Sequence, residues 1–122
     1  MPHALVIDDS RHTADTLCQM LDLLGVQARV AYGPRDALLE IRKDPLDIIF
    51  LDINMPGVDG FEVLSFIQRE PHLKKIPVVI VTSDDQPETE IKARETGALR
   101  LMLKPITVEA LEHVLKQMKL VA

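Results

Sequence analysis

Short apolar runs rich in Val, Ile and Leu alternate with stretches of helical period along the whole chain. The runs fall at residues 4–7, 26–31, 48–51, 78–81 and 99–103, each of strand length. Between and after them, apolar positions recur every three or four residues, which places side chains on one face of a helix. Ala14, Leu17, Leu21 and Leu24 form the first such face, and Gly25 behind them suits a left-handed helix end. Pro34 fits the first position of a second helix that buries Ala37, Leu38 and Ile41. Asp59 is the expected cap of a third, with Glu62 three residues on and Phe61, Leu64 and Ile67 turned inward. A fourth helix over 87–96 carries Glu88, Glu90, Lys92, Arg94 and Glu95, so Ile91 and Ala93 are its expected apolar anchors and its docking is weak. The last helix starts from a Thr107 cap and runs through Val108, Leu111, Leu115 and Met118.

Strands that alternate with helices predict an α/β domain with a parallel sheet. Continuous apolar runs read as strands covered on both faces, while polar interruptions mark edges. Gln27 and Arg29 interrupt the second strand and Arg100 the fifth, whereas the other three are almost wholly apolar. With the second and fifth strands at the edges, the order is 2-1-3-4-5, a doubly wound, flavodoxin-like (βα)5 sheet. Such a sheet reverses direction between strands one and three and leaves a ligand crevice at their carboxyl ends. The absence of repeats and linkers in 122 residues predicts one domain over 1–122.

Charge and composition remove several function classes. A net charge of −5, 3% aromatic residues and no run of Lys or Arg supply neither a basic footprint nor a stacking surface, so direct nucleic-acid binding is not expected. Neither a membrane span nor a signal peptide is readable, and the expected location is the cytoplasm. Cys18 lies in a helical pattern beside Leu17 and Leu21 and reads as a packing residue. His3, His12, His72 and His113 are scattered without metal-ligand spacing, which argues against zinc.

The chemistry gathers where the strands end. Asp8 and Asp9 follow the first strand, Asp52 the third, Thr82 the fourth and Lys104 the fifth. Each alone has an ordinary explanation as a cap or turn former. Together they bring three carboxylates, a hydroxyl and an ammonium to one crevice. Carboxylates at about 4 Å repel by roughly 4 kcal/mol per pair in an effective dielectric of about 20, so a cation is required. A hard divalent ion such as Mg²⁺ suits all-oxygen ligands and retains water and phosphate oxygens in its shell. Metal, ammonium and hydroxyl together suit a phosphoryl group in transit.

Asp8-Asp9, the run Leu51-Asp52-Ile53-Asn54-Met55-Pro56-Gly57 with Asp59-Gly60 behind it, Val81-Thr82-Ser83, Gly97-Ala98 and Lys104-Pro105 closely resemble the receiver domains of two-component response regulators. The resemblance covers the whole chain. It implies that Asp52 is the phosphoryl acceptor, that Asp9 binds Mg²⁺ directly and Asp8 through metal-bound water, and that Asn54 offers its backbone carbonyl. It further implies that Lys104 pairs first with Asp52 and then with a phosphoryl oxygen, that the Thr82 hydroxyl bonds another, and that the Lys104-Pro105 peptide is cis. Asn54 and Asp84 are expected to tune hydrolysis. The implied partners are a histidine kinase or histidine phosphotransfer protein and a downstream protein target, with a phosphorylation-dependent homodimer as a further state. The sequence departs from the family at Leu101 and Ile106, where receivers usually carry aromatic residues, so output is expected through the loop after Thr82 and through helix packing.

Two other readings compete. A pseudo-receiver would keep the fold as an unphosphorylated interaction module, which Leu101 favours and the intact acceptor, metal, hydroxyl and lysine positions disfavour. A free-standing phosphatase lacks a second acid-base residue beside the acceptor. No output domain is expected within these residues, which fits either a stand-alone regulator or a piece of a longer one.

Overall fold

The computed structural model describes residues 1–43 and 45–122. Strands and helices alternate as β1 (His3–Ile7), α1 (Arg11–Leu23), β2 (Gln27–Ala31), α2 (Pro34–Ile41), β3 (Ile48–Asp52), α3 (Gly60–Arg69), β4 (Val78–Thr82), α4 (Pro87–Thr96), β5 (Arg100–Leu103) and α5 (Val108–Gln117). All four strand pairings are parallel, and the sheet order is β2-β1-β3-β4-β5. The expected order therefore holds. Every residue of β3 and β4 is buried, whereas β2 and β5 expose Gln27 and Arg100 at the sheet's edges.

Alternate side chains along each strand point to opposite faces. Ala4, Val6, Ile48, Phe50, Val79 and Val81 meet α1 and α5 on one face, through Ala14, Leu17, Leu21, Leu111, Val114 and Leu115. Leu5, Ile7, Ile49, Leu51, Val78 and Ile80 meet α2, α3 and α4 on the other, through Ala37, Leu64, Ile67 and Ala93. Cys18 is half-buried against the α1–α5 layer, and burial, followed by the charges of Asp22 and Asp15, pushes its thiol up to about 11. An inert packing role follows.

The expected caps form. Asp59 accepts the Phe61 N–H at 2.9 Å, Thr107 accepts the Ala110 N–H at 3.1 Å, Pro34 opens α2, and Gly25 follows α1 with φ +86°. Two expected core positions do not. Ile91 is 55% exposed, so α4 docks through Ala93 alone among its two apolar candidates. Positions two apart on a helix are separated by about 200° and cannot face one core. Leu38 is 38% exposed, lying one position off the face that Ala37 shares with half-buried Ile41.

Candidate functional site: an acidic pocket at the strand ends

Sheet order and register build the pocket. Ile7 pairs with Leu51, Asp52 with Val81, and Thr82 with Leu103, so four adjacent strands end at the same level. Asp8 and Asp9 emerge beyond β1, Asp52 and Thr82 close β3 and β4, and Lys104 follows β5. The chain behind the acceptor turns at Gly57, whose φ of +74° is a conformation glycine adopts without strain. It then enters α3 at Gly60, where a Cβ would collide with the Ile53 backbone.

Asp8, Asp9 and Asp52 each present a carboxylate oxygen, all within 4.8 Å of one another. Asp8 and Asp52 are buried, while Asp9 is exposed at the mouth. The Lys104 ammonium lies 3.1 Å from Asp8 Oδ2 and 3.3 Å from Asp52 Oδ2. The Asn54 N–H donates to Asp52 Oδ1 at 2.9 Å, and the Ser10 N–H to Asp8 Oδ1 at the same distance. Both acceptor oxygens of Asp52 are thus held. The Lys104-Pro105 peptide is cis, as the resemblance implied.

Burial is the largest influence on Asp52 and raises its pKa above the ordinary carboxylate value; the Asp8 charge adds to this, while the Asn54 N–H and Lys104 oppose it. Burial by itself would lower the pKa of Lys104, but its hydrogen bond to Asp8 and the charges of Asp52 and Asp8 outweigh that and raise it. The pocket therefore keeps a firmly protonated ammonium beside carboxylates that gain from an additional cation. Hard, closely spaced oxygen donors are the set that a Mg²⁺-sized ion takes, so the donor chemistry fits the metal expected from sequence.

All six expected site residues stand at this end of the sheet. Thr82 is fully buried, and its Oγ1 accepts from Asn54 Nδ2 at 2.7 Å and from the Asp84 N–H at 3.0 Å. Sequence reasoning assigned Asn54 a backbone role and missed this side-chain bond, which spans 28 residues and leaves no local pattern. It also missed that the Asp84 carboxylate accepts from the Gln86 N–H at 2.9 Å and from Thr89 Oγ1 at 2.6 Å. The spacing of Asp84 ahead of a Pro-initiated helix was the available signal. None of the four histidines belongs to the acidic cluster, and His12, His72 and His113 are exposed.

A doubly wound α/β domain with three carboxylates and a lysine at its topological switch point defines a small class of proteins. The match to the response regulator receiver domain, over residues 4–116, places it further: the chain belongs to that family. It is 32% identical to the protein PilH of Pseudomonas aeruginosa over 111 residues, 91% of this chain and 92% of that one. The solved structure of the chemotaxis protein CheY4 of Vibrio cholerae is 28% identical, with a TM-score of 0.90 covering 97% of this chain and 98% of that one. A probable cyclic di-GMP phosphodiesterase of Vibrio cholerae is 34% identical over 88% of this chain, which spans 24% of that protein's length. The family acts as a signalling phosphoacceptor rather than as a conventional enzyme. Among the described residues, no helix is long and apolar enough to cross a membrane.

Proposed function

We propose that this chain is a phosphorylation-driven signalling switch in which the Asp52 carboxylate accepts a phosphoryl group from a histidine kinase or histidine phosphotransfer protein in the cytoplasm. The single observation that carries the reading is the Lys104 ammonium bridging two buried carboxylates, Asp8 and Asp52, beside exposed Asp9. Without a ligand this arrangement confers little net stability, since burying charges costs about as much as their pairing returns. It has a clear use in charge transfer.

Asp9, Asp8 and Asp52, with the Asn54 carbonyl, are the residues that would hold Mg²⁺. Bound there, the ion would supply the positive charge that offsets phosphoryl oxygens during transfer. An Asp52 oxygen forms the new P–O bond as the P–N bond to the donor histidine breaks, and the electron pair leaves with the imidazole. The Asn54 N–H and Lys104 hold the carboxylate in place, one on each oxygen. Lys104 then follows the charge to a phosphoryl oxygen, and Thr82 donates its hydroxyl proton to another. Charge-assisted bonds of this kind contribute about 1.5–3 kcal/mol each, so two of them approach the roughly 5.5 kcal/mol that inverts a two-state population.

Intact mass after incubation with Mg²⁺ and acetyl phosphate tests the reading. Wild type is expected to gain one phosphoryl group, and Asp52→Ala or chelation of the metal to abolish the gain. An unmodified wild type under these conditions would leave the chain an interaction module that keeps the fold without the chemistry.

A further inference from the structure

Helices α2 and α3 pack on the face of the sheet opposite α1 and α5. Between them runs a groove, because two hollows of about 340 and about 430 Å³ share Leu38, Ile41 and Phe66 as lining. Val58 and Val63 extend its apolar wall at the end nearer the acidic pocket, and Leu73 at the far end. Leu38 is 38% exposed and its neighbour Leu39 56%. The fold thus leaves a large aliphatic side chain on the rim of an apolar groove, where a second surface would remove both from water.

Parallel strands return through antiparallel helices, so α2 and α3 both begin at the pocket end of the sheet and both finish at the other. At the first end exposed Asp36, Asp59 and Glu62 outnumber Arg35. At the far end exposed Arg42, Arg69, Lys74 and Lys75 outnumber Glu70, while Glu40 is held by Arg29 and Lys43 at 3.0 Å each. Acids at helix starts and bases at helix ends are what helix dipoles favour, so the charges alone would be ordinary. Here they bracket an exposed apolar groove in a chain of net charge −5. A face negative at one end and positive at the other is complementary to its own copy turned end for end. A two-fold axis perpendicular to the helices makes that match twice, whereas a copy laid parallel would set like charges together. We propose that the groove between α2 and α3 is the contact face of an antiparallel homodimer, in which Leu38 of each chain enters the groove of the other. The lining includes none of Asp8, Asp9, Asp52, Thr82 or Lys104. The pair therefore forms without a phosphoryl group, and the proposal stands apart from the phosphoacceptor reading.

Sedimentation equilibrium of the full chain, with no phosphoryl donor present, tests the pairing. Between about 1 μM and about 1 mM the average mass is expected to rise from that of one chain toward that of two and no further, since a closed pair uses up the face. Leu38→Asp is expected to weaken association about tenfold or more, while Leu23→Asp, at a 76% exposed leucine of α1, should leave it unchanged. The double variant Asp36→Lys, Glu62→Lys makes both ends of the face positive, and Arg69→Glu, Lys74→Glu makes both negative. Each should stay monomeric alone, and the two mixed in equal amounts should pair with one another. Amide shifts on dilution of wild type should map to α2, α3 and residues 70–76. A wild type that stays monomeric throughout overturns the proposal and leaves the groove to a different protein. Dilution shifts centred on β5, where Leu103 is also exposed, overturn it too, as does a Leu38→Asp protein that associates like wild type or no worse than Leu23→Asp. Charge variants that are folded by circular dichroism but gain nothing on mixing overturn the antiparallel match; should either fail to fold, Leu38→Asp and the dilution shifts decide.

Discussion

Helices α4 and α5 each have ten residues and stand on either side of β5 in the chain, yet they are held in opposite ways. α5 buries Leu111, Val114 and Leu115 and is capped by its own Thr107. α4 buries Ala93, exposes Ile91, and borrows a carboxylate from the loop before it. Apolar burial is non-directional and survives small shifts, whereas a hydrogen-bonded cap has one geometry and is lost when a partner turns. The α5 layer is therefore the frame, and α4 is the weakly held element.

The largest expected effect tests that asymmetry directly. Leu111→Ala removes a fully buried side chain and should cost about 2–5 kcal/mol in urea unfolding. Ile91→Ala, on the exposed side of α4, should stay within about 0.5 kcal/mol of wild type. Comparable losses in the two variants would mean that α4 is anchored as firmly as α5 and that the contrast is mistaken.

A smaller effect separates the pocket's chemistry from the frame's stability. Burial and the neighbouring Asp8 raise the pKa of Asp52, so the folded chain binds that proton more tightly than the unfolded chain does. The stability this group contributes is present in full below its unfolded pKa and is lost as pH rises through the raised folded value. At pH 7 the ionised carboxylate is thus a net cost. Asp52→Asn should melt higher than wild type there while losing phosphoryl uptake. The gap should close as pH falls through that window, and it should narrow when Mg²⁺ stabilises wild type. Glu40 and Asp84, whose pKa values are lowered, lose stability on acidification instead, but both are present in each protein and cancel in the difference. A variant that melts below wild type at pH 7 would show that Lys104 more than compensates the pocket's charge.

The contrast also marks what could be read from the sequence. Sheet order was legible because burial on two faces writes continuous apolar runs into β1, β3 and β4 and leaves Gln27, Arg29 and Arg100 to mark the edges. The pocket residues were legible because parallel strands deliver their last residues to one level, so position along the chain specifies position in space. The links from Asn54 to Thr82 and from Asp84 to Thr89 were not, since they depend on side-chain rotamers that leave no periodic trace. Ile91 was misplaced for a related reason: in a helix this polar, counting apolar residues does not establish that they share a face.

The smallest effect sharpens the account of α4 itself. Lys92 Nζ lies 4.4 Å from the centre of the half-buried Phe61 ring, so a cation over an aromatic face ties α4 to the start of α3. Gly97 closes the same helix beside the flexible Gln68 side chain, and its φ of +112° is a left-handed conformation that favours glycine. Lys92→Ala should therefore lower stability by about 0.5–1 kcal/mol, while Lys92→Arg, which keeps the cation over the ring, should be close to neutral. Removing any lysine from a chain of net charge −5 also changes long-range repulsion. Exposed Lys75→Ala is the control for that contribution and should change the urea midpoint less than Lys92→Ala does. If the ring contact matters, the Lys92→Ala protein will show faster amide exchange in α4 with no change in α5, because the lost attachment belongs to the weakly held helix. Equal effects of the two lysine substitutions would reduce the contact to general electrostatics and leave Ala93 and the Asp84–Thr89 hydrogen bond as what holds α4 in place.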